Sequence, residues 1–463
     1  MLNLSTKSIL KMTVPIMLGT FIQNIVLITD SILVYGLGEI KFDAANNAGL
    51  LYVCFFMLLR GLGDGTQILV AKEYGLKNFK GIKEILTNSF ALQLGIGVLV
   101  FLFIYVFKTS FLNFVVQSDV IRPEMSSFLN YRSIGIFFSG IQITIISFYI
   151  GIGKTKVLIY STLLLALTNI FLDFGLIFGK FGMPQMGLEG AALASSISEG
   201  VTALFLIFHL RANKIYNELN LSLLKDKLVL YKTKLLLKLS SPLMLRGFVS
   251  LSTWFVFFSL IEQMGEQELA ASHVVRNLFF ISFIPIFGFG SSTRTYVSYY
   301  FAKNEIKNIK IVITKMIMLS FILYFIIFHG ALLYPHIMTQ LYPWITDLLH
   351  PEFIEHKAVY DPETLRQASE ILKIIFGSML LYAAVNVVYN TISAVGKTLQ
   401  ALFIELISII IYLSFTYLFI IEWKWSVIDI WYVEYIYFGF LGLLSLIYLY
   451  FFNKKLNKKT IDE

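Results

Sequence analysis

Asp30, Asp64, Asp173, Glu199 and Glu405 each lie inside a long apolar run. A carboxylate near the middle of a bilayer costs at least about 2.5–3.5 kcal/mol on insertion scales, so something must offset it. Thr13, Thr20, Gln23, Asn24 and Asp30 recur at roughly helical spacing and make one polar stripe on an otherwise apolar segment. Asn169 and Asp173 are four apart and project from one helix face, and Ser195, Ser198 and Thr202 share another. Such groups offer hard oxygen ligands for Na⁺, or a carboxyl that takes a proton when desolvated. The competing reading is a structural polar network between helices. It weighs more for Asp64, one helical turn after Arg60, and for Glu199 and Glu405.

The elements that must hold these groups are membrane helices. Of 463 residues, 57% are hydrophobic, 16% aromatic and only 14% charged, against about 25% charged in a soluble chain. The apolar residues arrive in runs of roughly 20 to 28, each enough to cross a hydrocarbon layer about 30 Å thick. Twelve spans are predicted, near 9–36, 44–70, 86–108, 128–151, 157–178, 188–210, 239–262, 270–299, 309–334, 369–394, 398–421 and 430–452. The first is preceded by Lys7 and Lys11 but is too long for a signal peptide, contains Pro15 and lacks a small-residue cleavage site. The single cysteine, Cys54, lies within a span, which excludes a disulfide scaffold and a Cys-based metal site.

Basic residues set the expected orientation. Lys and Arg fall in alternate gaps, from Lys7 and Lys11 through the Arg211–Lys238 segment to Lys454–Lys459, placing 24 of the 37 on one side. The positive-inside rule puts that side, and both termini, in the cytoplasm. The net charge of +8 is then a topology signal directed at an anionic leaflet, and it calls for no nucleic-acid partner.

The chain also repeats itself. A shift of 227 lays Pro15 on Pro242, Gly38-Glu39 on Gly265-Glu266, Gly61 and Gly63 on Gly288 and Gly290, and Thr66 on Thr293, with 17 identities over positions 10 to 80. Further on, Gly153-Lys154-Thr155 matches Gly396-Lys397-Thr398 at a shift of 243. The extra residues are assigned to the polar stretch Pro343 to Arg366, which carries His350 and His356. The expected architecture is an all-α polytopic protein: a six-helix bundle over 1–210, a basic linker over 211–238 and a second six-helix bundle over 239–463, related by pseudo-two-fold symmetry. In such duplicated transporters the substrate cavity lies between the halves, which favours alternating access over an enzyme. Gln23, Asn24, Trp254, Phe257, Arg276 and Tyr382 are its candidate lining.

Asn169-Ile-Phe-Leu-Asp173 leading to Leu176-Ile-Phe-Gly179, then Phe181-Gly-Met-Pro184 and Gly190-Ala-Ala-Leu-Ala-Ser195, resembles the fifth and sixth spans of MATE (multidrug and toxic compound extrusion) transporters. Thr29-Asp30-Ser31 followed by Gly36 resembles their first span, and Gln67-Ile-Leu-Val-Ala71 the end of their second. The resemblance covers essentially the whole chain. It implies an H⁺- or Na⁺-driven antiporter exporting small amphipathic, often cationic compounds across the bacterial plasma membrane, without any cofactor, here expected as a monomer. It further implies an ion site on Asp30, Asn169, Asp173 and Ser195, the last a Ser where Thr is common, and a helix bend at Pro15.

One departure stands out. NorM-type members also use a Glu in the seventh span and an Asp in the tenth, where this chain has Ser250 and Ala383. The internal repeat agrees, since Asp30 maps onto Phe257 and Asp173 onto Thr416. Coupling is therefore expected in the first half. The second half carries Arg246, Arg276, Arg294, His273 and His329 within spans, with Glu405 read as its only deep acid. Arg246, Arg294 and Arg132 are expected to snorkel from helix ends, whereas Arg276 lies deeper and either pairs structurally or meets an anionic substrate. These basic groups keep open a second reading, a flippase for lipid-linked saccharides. An integral-membrane transferase would need a catalytic cluster, for which only the 343–366 stretch offers residues. Gly153-Lys154-Thr155 lacks the upstream glycine of a phosphate-binding loop, having Phe148 there, and no H-E-x-x-H or G-x-S-x-G occurs.

Overall fold

The computed structural model describes residues 2–116, 118–218, 227–340 and 361–462. Among the described residues every regular element is helical, as a backbone that must satisfy its own polar groups in lipid requires. Among the described residues eleven helices are long and apolar enough to cross a membrane. Ile121–Arg132 and Gly135–Gly151, bent by 49°, make a twelfth span if taken together. The predicted fourth span is thus a broken one. At the break the Ser133 hydroxyl bonds back to the Asn130 carbonyl at 3.1 Å, a local alternative to the helix ladder. The chain folds as two compact units, whose seams fall between Thr13 and Val14 and between Phe248 and Val249.

The first unit, Val14–Phe248, holds α1 (Thr6–Tyr35) from Val14 onward, α2 (Glu39–Gly75), α3 (Phe79–Val115), α4 (Ile121–Arg132), α5 (Gly135–Gly151), α6 (Lys156–Phe178), α7 (Leu188–Ala212) and the start of α8 (Leu230–Glu262). Helix α2 packs on α3, α4 and α5, and α6 lies along α7. Leu59, Ala44, Ile136 and Ala192 are fully buried in the core they share. Gly61 lets α2 meet α8 backbone to backbone: a Cβ there would lie 2.4 Å from the Met244 nitrogen.

The second unit comprises residues up to Thr13 and the described residues from Val249 on. It contains the end of α8, α9 (Glu266–Ala302), α10 (Ile306–Phe328), α11 (Pro362–Ala394), α12 (Thr398–Tyr417) and α13 (Val433–Asp462). Asp361 caps α11 by accepting from the Glu363 amide, with Pro362 in the first turn where its missing N–H does no harm. The start of the chain is tied down by side chains. Tyr300 donates to the Leu2 carbonyl at 3.0 Å, Lys315 to that of Leu4 at 2.8 Å, and Thr13 to Ser292 at 2.8 Å.

Repeat-matched positions share unusual backbone angles. Gly38 and Gly265 both have positive φ (98° and 148°) at the starts of α2 and α9, and Gly153 and Gly396 do so (73° and 83°) in the Gly-Lys-Thr turns. Lys77 and Asn304, also 227 apart, sit at φ 55° and 58°. Glycine identities persist at such turns because an added Cβ is strained there.

His350 and His356, and most of the 343–366 stretch, lie outside the described residues, as do residues 219–226 of the basic linker.

Candidate functional site

Helices α1 and α6 place the first group. α1 is continuous through the buried Pro15, and two members of its polar stripe bond within the helix. Thr20 donates to the Ile16 carbonyl at 3.0 Å and Asn24 to that of Thr20 at 2.8 Å. Gln23 is exposed and Asn24 half-buried. Asp30, the last member of the stripe, lies beside Asp173 of α6, with its Oδ1 buried and unpartnered. Asn169 and Asp173 are each 1% exposed, and all four of their side-chain polar atoms lack a hydrogen-bond partner. Buried polar groups normally find partners, and each that does not costs about 1–3 kcal/mol. Ser195 is half-buried on α7, and the Oγ1 of Thr202 on the same face is buried and unpartnered. Asp30, Asn169 and Asp173 thus bring buried, unpartnered oxygen atoms that are hard acceptors by chemistry.

Arg132, expected to snorkel, is instead held in a buried pair. Its Nη2 donates to Glu199 Oε1 at 2.6 Å and its guanidinium lies 3.8 Å from the Tyr52 ring centroid. The reason is burial: both side chains are only 13–14% exposed, so the charge finds a partner and not water. Arg132 also lies within electrostatic reach of Asp30. Asp64 has Arg60 at 4.0 Å, a loose pair.

In the second unit Glu405 of α12 is 5% exposed. Its Oε1 accepts from the Ser250 hydroxyl at 2.7 Å and its Oε2 from Tyr389. Arg276 packs its guanidinium 5.2 Å from the Phe258 ring centroid, and His273 stacks on the same ring at 5.3 Å. Arg294, also expected to snorkel, is 6% exposed and donates to Asn390 Oδ1 at 2.8 Å, because its position on α9 faces α11. Phe257 is fully buried against Trp431 (5.1 Å) and Tyr412 (5.7 Å), which makes it core packing. Tyr382 is 8% exposed and stacks on Phe438 at 4.3 Å. Trp254 is half-buried and lines a cavity.

Glu405 is not the only deep acid of this half. Glu434, second residue of α13, is 4% exposed and accepts from the Tyr412 hydroxyl at 3.0 Å. The signal was present as an acid at the start of an apolar run. Its burial depends on the short helix Val427–Ile430 and on Trp431, which turn the chain inward ahead of it. Among the described residues no group of three or more His, Cys, Asp or Glu side chains could hold a metal ion.

The comparisons with known proteins bear on the whole chain. The family model described as MatE matches residues 15–174 and 242–418, two segments that repeat the internal duplication. A probable multidrug resistance protein NorM from Thermotoga maritima is 24% identical over 407 residues, covering 87% of this chain and 83% of the relative. The probable multidrug resistance protein YoeA of Bacillus subtilis is 23% identical over 376 residues, 79% of this chain and 77% of that one. A solved structure described as MATE in complex with MaL6 superposes with a TM-score of 0.85 at 17% identity, over 98% of this chain and 97% of that one. The chain is a many-span helical membrane protein that belongs to the MATE family, whose members are transporters and not enzymes.

Proposed function

We propose that this protein is an H⁺- or Na⁺-coupled antiporter that exports small amphipathic, often cationic compounds by alternating access. The observation that carries this reading is the set of five buried, unpartnered atoms on Asp30, Asn169 and Asp173. A transporter that binds and releases an ion needs groups whose stabilisation comes from the ion and not from a permanent neighbour. Multidrug export is supported by the names of the NorM and YoeA relatives. The bacterial relatives favour the plasma membrane, and the basic gaps read from the sequence favour both termini in the cytoplasm. A lipid-phosphate flippase is less favoured, because the NorM and YoeA relatives are named for multidrug resistance.

The test is efflux in everted vesicles under an imposed pH or Na⁺ gradient. Ethidium should be moved by the wild type and not by Asp30→Asn or Asp173→Asn. Full efflux by both variants sinks the coupling assignment.

A further inference from the structure

Arg132 is the last residue of α4, immediately before the 49° break into α5. It spends two of its five N–H donors on Glu199, Nη2 on Oε1 at 2.6 Å and Nη1 on Oε2 at 3.1 Å. Gly135 makes room for this fork just past the break: a Cβ there would lie 2.3 Å from Arg132 Nη1 and 2.4 Å from Glu199 Oε2. On α7, Ser195, Glu199 and Thr202 follow one another at a turn's spacing, so the acid of the pair shares a face with the Ser195 and Thr202 hydroxyls.

One core draws this pair toward the unpartnered acids. Leu33, one turn beyond Asp30, Leu129, one turn before Arg132, and Ile177, one turn beyond Asp173, are buried in the same cluster as Tyr52. The guanidinium lies against the Tyr52 ring and within electrostatic reach of Asp30. The titratable groups around it are therefore Tyr52 from α2, Glu199 from α7 and Asp30 from α1, with Asp173 of α6 beside Asp30. Neighbouring charges are engaged elsewhere. Lys108 of α3 donates to the Ser126 carbonyl at 3.1 Å and to Asn130, and Glu189 of α7 accepts from Ser127. A buried carboxylate that gives up a cation needs another positive charge, because a bare one is far more costly than a paired one. A planar guanidinium fork can serve a carboxylate on either side of it.

We propose that Arg132 is a positioning residue that competes with the coupling ion for Asp30: it is held on Glu199 when the ion is bound and turns toward Asp30 when the ion leaves. This rests on the coupling reading above and gives it a release step, since the departing ion is replaced by a resident charge and the acids are not left bare in lipid. Glu199 sets the balance, because every contact it makes with the guanidinium is one withheld from Asp30.

The driving ion is fixed first, by ethidium efflux in everted vesicles under a Na⁺ or a pH gradient. That ion, as NaCl or as protons, is then titrated into the full chain in lipid nanodiscs while the thermal midpoint is followed, and the part of the response lost in Asp173→Asn belongs to the site. Arg132→Gln removes the competitor, so its response should reach half-saturation at about tenfold lower ion concentration. Glu199→Gln loosens the guanidinium toward Asp30, at a cost in stability that does not enter the half-saturation point, and should shift it about tenfold the other way. A pair that only braces the helices gives no such opposed shifts. Arg132→Lys keeps the charge and should stay within about threefold of the wild type. If the single variants do not fold, the double variant Arg132→Gln/Glu199→Gln carries the test and should move as Arg132→Gln does. Singles that shift in the same direction, or a double within about twofold of the wild type, overturn the proposal. A wild-type response that is absent or untouched by Asp173→Asn overturns the coupling reading and this inference with it. A response that Asp173→Asn abolishes and the double variant leaves in place overturns the part of Arg132 alone.

Discussion

Asn169 and Asp173 sit one turn apart on α6, each 1% exposed, and no side-chain polar atom of either has a hydrogen-bond partner. On the proposed coupling role, such a group is stabilised by the cation that enters it. Asp173→Asn should therefore abolish gradient-driven efflux yet leave the thermal midpoint unchanged or a few degrees higher, since a buried carboxyl without a partner is replaced by an uncharged group of the same size. Paired efflux and melting measurements check both halves. A large fall in the midpoint would instead make Asp173 a structural acid.

The pair Arg132–Glu199 is the opposite case, a buried ion pair with good geometry. Arg132→Gln or Glu199→Gln should each destabilise by about 3–5 kcal/mol, because the remaining charge stays buried alone. Replacing both by apolar residues of similar volume should recover most of that loss. Denaturation of the two singles and the double forms the cycle that reads it.

Glu405 gives a graded expectation. Ser250 and Tyr389 donate to different oxygens of it, and a Gln keeps one acceptor while its NH2 can donate to the other hydroxyl once that hydroxyl turns. Glu405→Gln should keep at least partial ethidium efflux with normal expression. Complete loss of efflux would move Glu405 into the coupling machinery.

Close helix contact predicts a steric lesion. Gly61→Ala puts a Cβ 2.4 Å from the Met244 nitrogen, and backbone cannot retreat as a flexible side chain can. A loss of about 1–3 kcal/mol is expected, with lower yield of folded protein. Gly95, with nothing within 4 Å of an added Cβ, is the control, and Gly95→Ala should melt as the wild type does.

The turn after α9 carries a pH-dependent contact outside the spans. Lys303 and then Asn308 hold the Glu305 carboxyl below the usual carboxylate range. A lowered acid contributes stability above its unfolded value and loses it as pH falls through the lowered one. Because the pair is partly exposed and screened by solvent, Glu305→Gln should lower the midpoint by no more than about 1–2 °C near pH 7, and the difference should shrink as pH falls through the lowered value. Melting curves across that range check the sign.

The sequence by itself determined what depends on local pattern. Apolar runs must become membrane helices, and an N-x-x-x-D spacing must put Asn169 and Asp173 on one face of α6. The internal repeat anticipated turns whose backbone needs glycine, as at Gly38 and Gly265. Only the tertiary structure decided the partners of the charges. Arg132 and Glu199 are 67 residues apart, Ser250 and Glu405 155 apart, and neither pair leaves a periodic trace. From the sequence Glu405 reads as the only deep acid of the second half, and it is packing beside Trp431 and Tyr412 that buries Glu434 as well. The physical reason is that helix formation in lipid is driven residue by residue through transfer and backbone satisfaction. Pairing of buried polar groups instead depends on which helix faces meet, and that is set by packing among segments far apart in the chain.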